Sequence, residues 1–134
     1  MWFSRFVNES TNSNRQVMAD AYNRMGDCYF YVRNFDEARL NYDKAEHIDP
    51  SLGDYSLFQE GFVKGLQRDY TGKIQALNQL ITNYPQSPYI DDALYEQGRA
   101  FVQLEDNSNA IERFQLLVKN FPQSKMAPRA ANEV

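Results

Sequence analysis

The segment Asn83-Tyr84-Pro85-Gln86-Ser87 returns 37 positions later as Asn120-Phe121-Pro122-Gln123-Ser124. Stepping back 35 from Pro85 reaches Pro50, in Asp49-Pro50-Ser51, and Gly26, Gly61 and Gly98 each precede one of these prolines by 24. Two kinds of backbone breaker that keep one register mark an internal repeat. A period of this length limits the chain to a stack of small similar units, each a supersecondary motif.

Between the markers the apolar pattern is helical. Tyr22, Met25, Gly26 and Tyr29 fall at i, i+3, i+4 and i+7, the stripe of an amphipathic helix. After a break at Arg33-Asn34-Phe35, a second stripe runs through Ala38, Tyr42, Ala45 and Ile48 and stops at Pro50, which cannot continue a helix. Each unit is thus helix A, a tight turn, helix B and a stop. The later units break at Arg68-Asp69-Tyr70 and Glu105-Asp106-Asn107. Ser87-Pro88 offers a capping oxygen followed by proline at the first helical position, with Ser51 and Ser124 in comparable places.

With these residues in place the chain resembles the tetratricopeptide repeat family, bacterial type, along nearly its whole length. The first unit fills every signature column with Tyr22, Met25, Gly26, Tyr29, Ala38, Tyr42, Ala45 and Pro50. The third keeps Leu94, Gly98, Phe101, Ala110, Phe114 and Pro122 but has Gln97 for an apolar residue and Leu117 for a small one. The second keeps Leu57, Gly61, Leu77 and Pro85, yet carries Glu60, Lys64 and Lys73 where Leu, Tyr and Ala are usual. For Lys73 the expectation is a snorkelling stem, or a rotated helix B with Ile74 taking over the contact. The resemblance implies an all-α fold, a right-handed superhelix of antiparallel hairpins. The units are 14–50, 51–85 and 86–122, with a half-hairpin and linker at 1–13 (Phe3, Phe6 and Val7 on its packing face) and the start of a fourth unit at 123–134. On this reading the chain is a fragment of a longer protein whose severed ends could support self-association.

Composition narrows function. A net charge of −4 with no cluster of Lys and Arg argues against nucleic acid as a partner. No apolar run approaches the length of a membrane span. Cys28, the single cysteine, reads as a small buried hydrophobe. His47, the single histidine, lies near Glu46 and Asp49 at a helix C-terminus, where the helix dipole accounts for it. Asp91-Asp92 is likewise accounted for at a helix N-terminus. One His and one Cys in separate units assemble neither a catalytic constellation nor a metal site, so the expectation is a non-enzyme with no cofactor and no metal.

The resemblance places binding on a concave groove lined by A helices. The expected partner-binding residues are Asn23, Asp27, Tyr31, Tyr55, Phe58, Phe62, Tyr95 and Arg99, with Asp20, Phe30, Leu66, Asp92 and Gln103 alongside. Tyr55 and Tyr95 are the stronger candidates for exposed contact, while Phe58 and Phe62 divide between core and surface. The groove lacks the Lys and Asn set that clamps a chain-terminal carboxylate in the best-known members. Its acidic border favours a protein or peptide with basic flanks. The expected function is an interaction scaffold holding a peptide or helix; the alternatives are an architectural spacer in a long solenoid or a regulatory arm of an enzyme elsewhere in the parent chain. The Tyr-Pro-x-Ser segment is also similar to repeats of bacterial envelope proteins, such as the periplasmic Tol–Pal accessory protein and outer-membrane assembly lipoproteins. That likeness favours the periplasm or cell envelope.

Overall fold

The structure is a computed structural model, described for the backbone of residues 2–133 and for the side chains of residues 14–133. Helix α1 (Trp2–Tyr31) is followed by α2 (Phe35–Ile48), a 3-10 turn (Pro50–Leu52), α3 (Gly53–Leu66), α4 (Tyr70–Asn83), α5 (Ile90–Gln103), α6 (Asn107–Asn120) and α7 (Ala127–Glu133). Each helix packs chiefly on the one before it and the one after it, so the fold is an all-α array of sequential hairpins. As assigned, α1 begins at Trp2 and reaches back past residue 14, the expected start of the first hairpin. The half-hairpin expected over residues 1–13, packed through Phe3, Phe6 and Val7, falls outside the residues whose side chains are described. Among the described residues no helix is long and apolar enough to cross a membrane.

The hairpin turns fall where the sequence breaks, and each is built the same way. Arg33, Arg68 and Glu105 adopt the left-handed region, with φ of 66°, 65° and 59°. The next residue donates its N–H back five positions: Asn34 to Tyr29 O (2.8 Å), Asp69 to Lys64 O (2.8 Å) and Asp106 to Phe101 O (2.9 Å). That bond is the Schellman closure of helix A. The same Asn or Asp then caps helix B, accepting from the N–H of Glu37, Gly72 or Asn109 at 3.4, 2.9 and 3.3 Å. One residue thus ends one helix and starts the next, which leaves no room for a longer loop.

Within each hairpin the helices meet at the repeated glycine. A Cβ on Gly26 would stand 2.6 Å from Tyr42 Cε1, one on Gly98 2.5 Å from Phe114 Cε1, and one on Gly61 3.2 Å from Leu77 Cδ2. Tyr42, Leu77 and Phe114 are at most 1% exposed. Aromatic rings in the first and third hairpins need the missing methyl's space more than the flexible leucine of the second does.

Between hairpins the ties are polar as well as apolar. Ser87 Oγ donates to Asp54 Oδ2 at 2.7 Å, and Ser124 Oγ repeats the bond to Asp91 Oδ2 at 2.5 Å. Helix α5 starts at Ile90, so Ser87-Pro88 is not its cap and first residue as expected; Ser87 Oγ accepts from Tyr89 N at 3.1 Å and clasps the preceding A helix. Gln97, wholly buried, donates through its amide nitrogen to Ile74 O (3.1 Å) and Asn78 Oδ1 (2.8 Å), which ties α5 to α4 and satisfies that nitrogen. Leu117, also wholly buried, packs in the cluster that includes Ala127 and Ala130 of α7, whose small side chains admit it.

Two expectations about single residues are corrected. Lys73 neither reaches bulk water nor yields its place to Ile74. It is 7% exposed and bonds Glu96 Oε1 of α5 at 2.8 Å, its stem lying where a Gly65 Cβ would be only 2.7 Å from Lys73 Cδ. Cys28 is exposed rather than buried. It continues the stripe of Met18, Ala21 and Met25, whose counterparts Ile90, Ala93, Gln97 and Ala100 in α5 are buried on the preceding helix. Among the described residues no helix B precedes α1, so its stripe stays open.

Substituting the glycines separates size from helix propensity. Alanine gains about 1 kcal/mol of intrinsic helix preference over glycine, whereas forcing a methyl into a tight contact costs about 1–3 kcal/mol. Gly98→Ala and Gly26→Ala should therefore lower stability, while Gly61→Ala should be neutral or slightly stabilising; urea denaturation of the three variants checks the order.

Candidate functional site: the A-helix wall

Helices α1, α3 and α5 form the wall on which binding is expected, and the structure sorts the expected residues into two groups. Those of the first group are engaged internally. Asn23 is 4% exposed and accepts from Ser56 Oγ at 2.9 Å, joining α1 to α3. The Asp27 carboxylate accepts from Tyr42 Oη (2.6 Å) and Tyr55 Oη (2.8 and 2.9 Å) and pairs with Arg24 Nη1 at 2.9 Å. This one side chain ties α1, α2 and α3 together. Burial, reinforced by the hydrogen bond to Asp27, pushes the Tyr55 phenol up to about 12 and the Tyr42 phenol higher still. Tyr55 is half-buried between Tyr42 (6.4 Å) and Tyr89 (6.0 Å), with the Arg24 guanidinium 5.3 Å from its ring centre.

Tyr95 corrects an expectation more sharply. It is 9% exposed and packs on Phe114 at 5.7 Å inside the main apolar cluster. The two tyrosines expected to be free contacts are thus engaged within the array, Tyr55 by Asp27, Tyr42 and Tyr89, and Tyr95 by Phe114 of α6. Phe58 is half-buried and stacked on Tyr89 at 5.7 Å.

The second group lies toward the C-terminal halves and faces outward. Tyr31 is 88% exposed, Leu66 49%, and the Arg99 side chain 56%. Phe62 is half-buried, 6.0 Å from Phe30, with the Lys73 ammonium 5.8 Å from its ring centre. Phe62, Leu66, Arg99 and Gln103 line a cleft of about 180 Å³ together with Gly65, Tyr70, Lys73, Glu96 and Ala100. Sequence reasoning missed Tyr70, Lys73 and Glu96 as site residues. Lys73 stood out as a departure from the repeat, and that departure was the available signal. Toward the other end, Asp20 is exposed and 3.6 Å from Arg24, and the half-buried Asp92 carboxyl is raised by burial and by Asp91.

On the opposite side, a cleft of about 300 Å³ between α2, α3 and α4 gathers Asp43, Glu46, His47, Glu60 and Lys64. His47 Nδ1 donates to Asp43 O at 2.8 Å, and that bond and the Asp43 charge raise its pKa. Asp43, Glu46 and His47 bring their ligand-type atoms within 4.8 Å of one another, and the Lys64 ammonium, 3.7 Å from Glu60 Oε1, supplies countercharge. Burial, then the nearby Asp43 and Glu46, push Glu60 up to about 7 against the pull of Lys64.

Three comparisons bear on this array. Tetratricopeptide repeat models match residues 19–52, and again 55–87 and 92–124. The chain belongs to the tetratricopeptide repeat family. Among solved structures it is similar to the N-terminal domain of stress-induced protein-1 (STI-1) from C. elegans, with a TM-score of 0.79 at 20% identity over 89% of this chain and 96% of that one. It is also similar to the Arabidopsis OM64 TPR domain (0.75, 14%, 88% and 94%) and to the first TPR of Spaghetti (RPAP3) bound to the HSP90 peptide SRMEEVD (0.73, 17%, 85% and 87%). Among curated proteins no sequence relative was found. The family is that of protein-protein interaction repeats, and the likenesses to solved structures carry the fold.

Two substitutions test the sorting of tyrosines. Removing a packed aromatic ring costs about 3–5 kcal/mol, and an exposed surface change stays within about 0.5 kcal/mol. Tyr95→Ala should lower the melting temperature strongly and Tyr31→Ala hardly at all in paired thermal melts. For Glu60 the folded value of about 7 lies above the ordinary 4.5. The folded state therefore holds the proton more tightly, and that contribution is full below pH 4.5 and is lost as pH rises through about 7. Glu60→Gln should abolish this decline and stabilise the chain at pH 8 by on the order of 2 kcal/mol; denaturant titrations of both proteins at pH 5 and pH 8 measure it.

Proposed function

We propose that the chain is an interaction scaffold that holds a peptide or helix of a protein partner along the wall of A helices, on the concave side that the family implies. The observation that carries this reading is the outward half of the wall. Leu66, 49% exposed, stands beside half-buried Phe62 and the exposed Arg99 on helices fixed by their neighbours on both sides. Apolar and aromatic groups with an arginine on a rigid surface are what protein interfaces concentrate. Two adjacent A helices, α3 and α5, present them to one extended ligand.

The peptide bound by the first TPR of Spaghetti, SRMEEVD, ends in acidic residues. In the present chain Asp20 and Asp92 border the other half of the wall, and Asp27 is spent on Tyr42, Tyr55 and Arg24. Acidic residues of a peptide lying along Asp20 and Asp92 would bring carboxylates against carboxylates, so at that end of the wall a partner with basic flanking residues fits better. Assembly of bacterial envelope complexes is the setting that the Tyr-Pro-x-Ser resemblance suggests for such a scaffold.

Peptides selected from a random library on the immobilised chain provide the test. Their affinity should fall about tenfold or more, roughly 1.4 kcal/mol, for Leu66→Asp and stay unchanged for Leu40→Asp, a similarly exposed leucine of α2. Fluorescence anisotropy reads both. Loss with Leu40→Asp and none with Leu66→Asp would move binding off the wall.

A further inference from the structure

We propose that the cleft bounded by Phe62, Gly65, Tyr70, Lys73, Arg99 and Gln103 anchors an acidic side chain within an extended peptide. The proposal rests on the wall being the partner-binding surface and adds the chemistry that one part of it selects.

The argument begins with Lys73. Its position in helix B is one where the other units have Ala38 and Ala110, at 0% and 2% exposure. A buried lysine there is costly, because a charge withdrawn from water carries a desolvation penalty that a single partner seldom offsets in full. The fold nevertheless accommodates it, with Gly65 leaving space for the stem. An ammonium carries three donors. Among the described residues Lys73 Nζ spends one, on Glu96 Oε1 at 2.8 Å, and the ring of Phe62 lies 5.8 Å away. The remaining donors belong to a residue 93% withdrawn from water that lines an open cleft. Buried donors left unspent carry a desolvation cost that a ligand acceptor removes.

Charge and size agree. Lys73 and Arg99 outnumber Glu96, whose Oε2 lies 3.7 Å from Arg99 Nη1, so the cleft carries one net positive charge. A carboxylate entering beside Glu96 would accept from Lys73 and Arg99 together, a charge-assisted pair of bonds. A cationic side chain would face both. The volume of about 180 Å³ holds roughly six water-sized groups, enough for a glutamate side chain of five heavy atoms. Leu66 and Phe62 give the cleft an apolar side suited to flanking aliphatic residues. The groove lacks the Lys and Asn set that clamps a chain-terminal carboxylate, and Asn23 and Asp27 are engaged within the fold, so the ligand group is taken as an internal side chain. Its location toward the C-terminal halves of α3 and α5, opposite Asp20 and Asp92, gives the wall two charged ends. A peptide with an acidic anchor and a basic flank satisfies both.

The test uses three capped peptides, acetylated and amidated so that no terminal charge competes: Leu-Glu-Leu, Leu-Gln-Leu and Leu-Lys-Leu. Amide chemical shifts of the labelled chain should move at Gly65, Tyr70, Ala100 and Gln103 on adding the glutamate peptide, with affinity about fivefold or more above the other two, roughly 1 kcal/mol. Arg99→Glu, an exposed change that leaves the fold intact, should abolish the preference, and the double change Lys73→Met with Glu96→Met, which replaces the buried pair as a unit, should reduce it while the melting temperature holds or rises. Equal binding of the three peptides on the wall, or a glutamate preference that survives Arg99→Glu, overturns the anchor while leaving the wall as the partner surface. Perturbation nowhere on the wall overturns both readings.

Discussion

The structure depends on how closely two helices of a hairpin can approach. At Gly26, Gly61 and Gly98 helix A presents bare backbone, and Tyr42, Leu77 and Phe114 of helix B fill the space. A hairpin closed this tightly still has a second apolar face on each helix. That face has no shelter within the hairpin and must be covered by the next one. Stability is then passed from neighbour to neighbour, as in any one-dimensional stack. The core follows suit. A first cluster of Ala38, Tyr42 and Val63 joins the opening hairpins, and a longer one runs from Leu57 through Phe114 to Ala130.

Apolar burial alone would let neighbouring units slide, because it is not directional. Register comes from polar bonds that cross between units: Ser56 to Asn23, Ser87 to Asp54, Ser124 to Asp91, Gln97 to Ile74 and Asn78. Each such bond adds only about 1 kcal/mol net, but leaving a buried partner unpaired costs about 1–3 kcal/mol. A slipped register loses several at once. This is the physical reason that the recurrent serine is part of the repeat, and that Asn23 and Asp27, which a list of groove columns treats as ligand contacts, are committed to holding the hairpins in place.

What could be read from the chain follows the same division. Prolines, glycines and stripe periodicity are local signals, and they located the hairpin turns, though α1 runs back to Trp2 past the expected start at residue 14. The turns lack glycine at their left-handed residue; the Asn or Asp after it, which caps helix B, was the local clue. Exposure on the wall was harder. Tyr95 and Leu66 both belong to the expected groove columns, and only tertiary packing, with the Phe114 ring of α6 5.7 Å from Tyr95, buries the first and leaves the second open. Cys28 failed for a related reason, since its stripe is buried only when a helix B lies over it. Lys73 was legible as an anomaly, while its partner Glu96, 23 residues away and in another unit, was not.

The second hairpin is therefore the informative one. Glu60, Lys64 and Lys73 all depart from the repeat, and they end on different sides of the array: Glu60 and Lys64 in the cleft with Asp43 and His47, Lys73 in the cleft with Glu96 and Arg99. A repeat optimised only for stacking would keep leucine, tyrosine and alanine at those places. Charges that are half or fully withdrawn from water weaken the stack, and they persist where they give the surface a property that alanine and leucine lack. Stability is shared among several units, so one hairpin can carry these charges while its neighbours hold the fold. That sharing lets the middle of the wall specialise.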